Sequence, residues 1–242
     1  DQSRATGRAE SNLVGRRWEM SAVAGLLDRA RDGHGAVVEV VGEPGIGKSR
    51  LVREVAAMAA VRGVELFSAF CESHTSQVPF RAVARLLRSV IGVDGLDGQA
   101  ARDIVRERIP AADPEDLLLV DDLLGIADPS AAVPTIDPDA RRRRLAALVN
   151  GVSLSRQSPV VFVVEDVHWI DEVSQAMLID FLAVIPQTPS LVLFTYRPEY
   201  HGALTRVAGA HTVALGPLSD SETAALVAYL LGTDSSVDAL GR

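Results

Sequence analysis

A single cysteine, Cys71, stands in 242 residues, which excludes an internal disulfide and leads us to expect a reducing, cytoplasmic setting. It shares Cys71-Glu72-Ser73-His74 with one histidine, too few ligands for a zinc site. Its expected role is that of a small buried hydrophobe. No apolar run approaches the roughly 20 residues that a membrane span needs, and no signal-peptide pattern is present. A basic surplus is missing too. Lys and Arg number 24 against 32 Asp and Glu, a net charge of −8, which argues against nucleic acid as a partner of this segment. There is no internal repeat and no low-complexity tract. What remains, 48% apolar and 23% charged residues, is the composition of a globular chain with a proper core. The length suits one large α/β domain or a core with a small appendage. The chain opens on Asp1 and its final residues read like the start of a further element, so the expectation is an excised piece of a longer protein.

Residues 1–11 are polar and glycine-containing, as in a linker or arm. Leu13-Val14-Gly15-Arg16-Arg17 leads into an amphipathic helix whose predicted inward positions are Trp18, Met20, Val23, Leu26 and Leu27. Strand-like residues 36–41 and helix-like residues 48–61 form a first βα unit, and 63–70 reads as a second strand. Residues 80–157 carry no strand pattern. They read as helices broken at Gly92, Gly95, Pro110, Pro114, Pro129 and Pro134, the last spanning about 138–156. Three more apolar runs follow, at 160–164, 191–195 and 212–215, with a helix over 172–185. Continuously apolar strands alternating with helices predict a parallel sheet covered on both faces. The Arg141–Arg144 run cannot form one patch, because consecutive helical residues point in different directions, and it reads as a solvated, salt-bridged face.

The strongest chemical signal is Gly42-Glu43-Pro44-Gly45-Ile46-Gly47-Lys48-Ser49-Arg50, set between the first strand and the helix after it. Gly42, Gly45 and Gly47 permit tight backbone conformations, so that successive N–H groups can turn toward one anion. The helix N-terminus adds its unpaired amides and positive dipole end. Lys48 can reach β- and γ-phosphates, and the Ser49 hydroxyl can ligate Mg²⁺. The fold class is therefore an α/β P-loop NTPase: a five-stranded parallel sheet with helices on both faces, plus a helical insertion over about 70–157. The loop strand is expected centrally, with the acid-bearing strand beside it.

Hydrolysis needs a second anchor for Mg²⁺ and a group that positions or deprotonates water, both at the C-terminal edge of the sheet. The run Val161-Phe162-Val163-Val164-Glu165-Asp166 ends in two such carboxylates. The plainer reading is a helix cap supplied by Asp166 or Asp171. The next strand ends in Phe194-Thr195-Tyr196-Arg197-Pro198-Glu199, where Thr195 and Arg197 can meet a γ-phosphate. Arginine suits that task through its permanent charge and forked donors.

Taken together, Leu13-Val14-Gly15-Arg16, the phosphate loop, Val164-Glu165-Asp166-Val167-His168-Trp169-Ile170-Asp171 and Thr195-Tyr196-Arg197-Pro198-Glu199 resemble the STAND branch of AAA+-type P-loop ATPases. More narrowly, they resemble the ATPase modules of large bacterial signalling regulators. The resemblance spans about residues 12–232. It implies ATP or ADP with Mg²⁺ as cofactors, and Val14 and Gly15 against the adenine. It implies Lys48 and Ser49 on phosphate and Mg²⁺, Glu165 on the Mg²⁺ side, Asp166 as the water-orienting acid and a further candidate Mg²⁺ ligand, and Arg197 as γ-phosphate sensor. Gly216-Pro217-Leu218 resembles the turn that opens a helical lid, giving a core over 12–216 and a truncated lid over 217–242. The implied partners are neighbouring domains of the same polypeptide (lid, sensor, or DNA-binding, cyclase or kinase outputs), with nucleotide-dependent self-association and no membrane. The implied function is a slow ATPase switch. The alternative is an ADP-held module without turnover, favoured by the Glu165-Asp166 order, the reverse of the Asp-Glu common in this superfamily, and by the lack of an assignable arginine finger. A small-molecule kinase would explain the loop but neither the helical insertion nor the Thr195-x-Arg197 strand end. Trp169 is expected to pack the strand–helix turn. His168 reads either as a partner of Asp166 or as structural or exposed.

Overall fold

The structure, a computed structural model, describes residues 15–231. The predicted arm at 1–11, Val14 and residues 232–242 of the predicted lid lie outside the described residues. The elements run α1 (Arg17–Arg31), β1 (Ala36–Val41), α2 (Lys48–Val61), β2 (Glu65–Phe70), α3 (Arg81–Ile91), α4 (Gly98–Arg108), α5 (Pro114–Leu123), α6 (Pro138–Ser155), β3 (Val160–Glu165), α7 (Glu172–Val184), β4 (Ser190–Tyr196), β5 (His211–Ala214) and α8 (Asp220–Leu231).

Local chemistry sets the boundaries. Pro114 and Pro138 begin α5 and α6 behind capping Asp113 and Asp137, where a missing N–H costs nothing. Gly92 ends α3 at φ 85°, a left-handed conformation that glycine adopts without strain. Ser219 and Glu222 exchange hydrogen bonds at the start of α8: the Ser219 N–H donates to Glu222 Oε2 at 2.8 Å, and the Glu222 N–H to Ser219 Oγ at 3.3 Å.

All five strands are parallel, in the order β2-β3-β4-β1-β5. The predicted architecture stands, but the predicted strand order does not. β4 lies between the loop strand β1 and the acid-bearing strand β3, and β1 is next to the edge rather than central. Burial accords with this placement: all seven residues of β4, at the centre of the sheet, are buried beneath helices on both faces, whereas β5 at the edge buries only Val213.

Residues alternate between the two faces of the sheet. Val38, Val40, Val161, Val163, Leu191 and Leu193 pack with Val23 and Leu27 of α1 and Leu51 and Val55 of α2. Val37, Phe162, Val164, Val192 and Phe194 face Leu178, Phe181 and Leu182 of α7. The helices of the insertion build their own cluster around Val105, Leu119 and Leu145. The predicted inward stripe of α1 holds at Val23, Leu26 and Leu27, with Met20 half-buried, but Trp18 is 80% exposed. At about 100° per residue, Trp18 falls on the side of the helix away from that stripe.

Two buried carboxylates tie neighbouring elements together. Glu39, 8% exposed in mid-strand, accepts hydrogen bonds from the Tyr196 hydroxyl at 2.9 Å and from the Thr212 hydroxyl. Burial, with the Glu39 carboxylate beside it, pushes the Tyr196 phenol well above the usual range. Asp171, 4% exposed, accepts from Ser174 N–H at 2.8 Å at the start of α7 and from Phe80 and Ala82 N–H at 2.9 and 3.4 Å at the start of α3. One side chain therefore caps two helices, one of them in the insertion. With roughly 1 kcal/mol per cap and buried amides left unpaired, Asp171→Ala is expected to destabilise the fold by about 2–3 kcal/mol. A urea midpoint within error of wild type would refute this.

The Arg141–Arg144 run behaves as the sequence indicates. Arg141 pairs with Asp122 at 2.6 Å, Arg142 with Asp180 at 2.8 Å, and Arg144 with Asp116 and Glu115 at 2.7 and 3.0 Å.

Candidate nucleotide-binding site

β1 ends at Val41 and the chain turns through Gly42–Gly47 into α2. Gly45 and Gly47 adopt φ of 78° and 107°, conformations that an L side chain would strain. Added Cβ atoms there would meet nothing within 4 Å, so the loop is open on that side. At Gly42 an added Cβ would come within 2.7 Å of Ile46 Cγ2, so the turn itself needs a glycine. Among the described residues, no backbone acceptor takes the N–H groups of Gly45, Gly47, Lys48 or Ser49. Ser49 is exposed beside them, followed by half-buried Arg50. Glu43 and Pro44 form the exposed rim, and Ile46 packs against the core.

The Lys48 ammonium, on a residue 8% exposed, donates to Gly42 O at 2.7 Å and Glu43 O at 3.0 Å. Desolvation lowers its pKa, with Asp166 opposing and Arg197 reinforcing that shift. An anion bound at the loop would reverse it.

The predicted acids come to the same end of the sheet. Glu165 closes β3 on the α2 face, in alternation with Val161 and Val163, and its carbonyl accepts from Cys71 N–H at 3.0 Å. Asp166 follows in a left-handed conformation, φ 56° and ψ 45°. Its N–H donates at 2.9 Å to the hydroxyl of Thr195, which is 1% exposed in β4. Thr195 thus positions the acid turn from the neighbouring strand. Asp166 does not cap a helix, whereas Asp171 caps α7. Arg197 leaves β4 near enough, with Glu199, to act on the charges of both Lys48 and His168. The structure therefore brings Lys48, Asp166 and Arg197 to the same C-terminal edge of the sheet. Cys71 is buried, and desolvation, reinforced by Asp171 and Asp166, pushes its thiol up to about 12.

His168 lies with Nδ1 3.8 Å from Asp166 Oδ1 and its side chain 9% exposed. Both ring nitrogens are buried without a hydrogen-bond partner. Trp169 leans on it, with ring centroids 5.2 Å apart, and is itself 37% exposed. Desolvation lowers the His168 pKa below 6.5, more than Asp166 raises it. On acidification the unfolded chain therefore takes up this proton first. The contribution to stability is complete above about pH 6.5 and is lost as pH falls. Wild type should lose urea resistance between about pH 7 and pH 5, and His168→Leu should lose less. Equal losses would remove His168 as the source.

Arg16 is a residue whose role the sequence reading missed. It is 8% exposed, and its guanidinium donates to Gly216 O at 2.6 Å, Ile46 O at 3.4 Å and Glu19 Oε1 at 3.0 Å. It thereby ties the phosphate loop to the turn before α8. Gly15, φ 76°, lies so close under α8 that an added Cβ would meet Leu218 at 2.6 Å and Glu222 at 2.7 Å. Of the predicted adenine contacts, Gly15 is thus at the α8 junction and Val14 lies outside the described residues.

Among the described residues no cluster of three or more His, Cys, Asp or Glu could hold a metal, and no helix is long and apolar enough to cross a membrane. A Mg²⁺ held by one or two protein groups and by phosphate oxygens needs no such cluster, and Ser49 with the acid pair fits that donor set.

The chain is 33% identical over 228 residues to an uncharacterized protein of Rhizobium meliloti (strain 1021), covering 92% of this chain and 22% of that protein. It therefore spans about a fifth of the length of that relative. Its fold is similar to that of Cdc6p from Pyrobaculum aerophilum, with TM-score 0.53 and 14% identity over 93% of this chain and 51% of the other. It is also similar to the Aeropyrum pernix Orc1 protein in complex with DNA, with TM-score 0.52 and 14% identity over 90% and 50%. The Drosophila ORC bound to DNA gives TM-score 0.51 and 15% identity over 92% and 47%. At these identities the likeness is one of fold, that of AAA+ P-loop proteins. The family model described as AAA ATPase domain matches residues 12–194, the greater part of the chain, and the chain belongs to that family.

Proposed function

We propose that this chain is an ATP-binding, slowly hydrolysing regulatory module that acts as a switch within a larger signalling or transcription-regulating protein. The observation that carries the reading is the convergence of unpaired loop amides, Lys48, the Asp166 turn and Arg197 at one end of the sheet. In this reading the amides of Gly45, Gly47, Lys48 and Ser49 cradle the phosphates and Lys48 neutralises the β- and γ-oxygens. Ser49 and Glu165 hold Mg²⁺, which supplies charge neutralisation when bound. Asp166 orients the attacking water and accepts its proton, and Thr195 fixes the turn that aims it. Asp is a methylene shorter than Glu, which favours slow turnover.

The switch itself would run through Arg16 and Gly15, which join the loop to α8 at the site of the proposed lid. Better contacts to the γ-phosphate in one packing of α8 than in another would convert nucleotide state into lid position. The 22% coverage of the Rhizobium relative supports partners within a longer polypeptide, such as sensor or output domains. DNA is named for two of the fold neighbours, but the acid surplus here argues against that partner for this segment. The Glu165-Asp166 order favours one second reading, an ADP-held module without turnover.

Arg197 separates the γ-phosphate from the rest of the nucleotide. Arg197→Ala is expected to weaken ATP about tenfold and ADP less than twofold in calorimetric titrations, the loss of one charge-assisted contact. Equal weakening of both would make Arg197 a general phosphate ligand and remove the sensor from the reading.

A further inference from the structure

On the sheet face away from α1 and α2, helices α3, α6 and α7 close over Phe162 of β3 without filling the space between them. A cavity of about 110 Å³ remains there. Its wall includes Leu86 and Val90 of α3, Val149 of α6, and Leu178 and Phe181 of α7. Interiors are close-packed as a rule, and an empty apolar space forfeits the dispersion contacts that its lining would otherwise make.

Water does not suit the space. A buried water needs roughly two to four polar partners, and the polar residues in this wall are Asn150 and Ser153. The Ser153 hydroxyl already donates to Val149 O at 2.7 Å. Asn150 Nδ2 donates to Asp180 O at 3.3 Å. A carbonyl can only accept, so this bond fixes the orientation of the amide. Asn150 Oδ1 is then left buried with no partner, an acceptor whose desolvation nothing offsets. Val152 both lines the cavity and is 42% exposed, so the wall reaches the protein surface there.

We propose that this cavity binds a small, largely apolar molecule with a single hydrogen-bond donor, an aryl or short alkyl alcohol, whose hydroxyl donates to Asn150 Oδ1. An apolar cavity of about 150 Å³ holds benzene; this one, at about 110 Å³, is smaller but reaches the surface at Val152, so it takes a short chain whole and a single ring with part of it at the mouth. None of its lining residues belongs to the candidate nucleotide site, and it does not depend on the function proposed for that site.

The test titrates phenol and toluene into the 242-residue chain and follows the methyl resonances of Leu86, Val90 and Leu178. Both probes should shift these resonances saturably. Asn150→Leu, close in shape but without the acceptor, should weaken phenol about tenfold, the worth of one hydrogen bond, and leave toluene unchanged or tighter. Val149→Phe, which fills the space, should abolish both responses. No saturable shift at these methyls with either probe overturns the proposal. Equal weakening of phenol and toluene in Asn150→Leu does the same, and needs no folded Val149→Phe protein.

Discussion

Replacing Lys48 by alanine is expected to lower ATP affinity about 100-fold, close to 2.7 kcal/mol, with the fold intact. Lys48 is the cation at the bottom of the loop, and contacts between a charged donor and phosphate oxygens are worth about 1.5–3 kcal/mol. Its ammonium donates to Gly42 O and Glu43 O, the backbone of the same loop, which holds it at the turn proposed to bind phosphate. Its pKa is lowered chiefly by desolvation, which Asp166 opposes in part, and a bound anion would offset it further. The truncation removes this offset from the bound state while costing the free state two hydrogen bonds to carbonyls at the loop. ADP should lose less than ATP, because one of the phosphates that Lys48 reaches is absent. Calorimetric titration of both nucleotides in Mg²⁺ checks this. Unchanged ATP affinity would show that the loop does not bind phosphate through Lys48, and the proposed site would fall with it.

The phosphate loop was legible in the sequence because glycine spacing, strand and helix agree at one place. The acid turn was legible for a similar reason: two carboxylates ending a buried apolar strand need a partner. The strand order was not legible. Val160–Glu165 and Ser190–Tyr196 are equally apolar runs, and nothing within either says which lies beside the loop strand. Only the paired sheet shows β4 hydrogen-bonded to β1 on one side and β3 on the other. Arg16 escaped for a different reason. Its partners are backbone carbonyls at Ile46 and Gly216, which carry no side-chain signature at any spacing. Glu39 finds its partners only through the sheet register, which sets Thr212 opposite it and brings the Tyr196 hydroxyl into reach. Asp171 could be read from the sequence as a cap for the helix that follows it, but not as a cap for α3, because that contact crosses 91 residues of chain.

Asp166→Asn should leave ATP binding within about twofold and reduce phosphate release by roughly 10²- to 10⁴-fold, the usual worth of a general base. The substitution is well suited to the question because it changes so little else. Asp166 sits at φ 56° and ψ 45°, a conformation that Asn, like Asp, tolerates better than other non-glycine residues. Its N–H would keep the bond to Thr195 Oγ1 at 2.9 Å, so the turn should hold. Alanine at this position would add backbone strain and blur the result. Removing the carboxylate also removes a negative charge near the phosphates, so ATP should bind no worse. It removes as well the charge that raises the pKa of both Lys48 and His168, so each should lose its proton more readily in the variant. Glu165→Gln provides the contrast. If Glu165 serves Mg²⁺, this variant should need more Mg²⁺ for half-maximal release, a shift that Asp166→Asn should not show. Should Asp166→Asn turn over at the wild-type rate while Glu165→Gln does not, the two acids exchange roles, and the water lies against the α2 face of the sheet rather than beside Arg197.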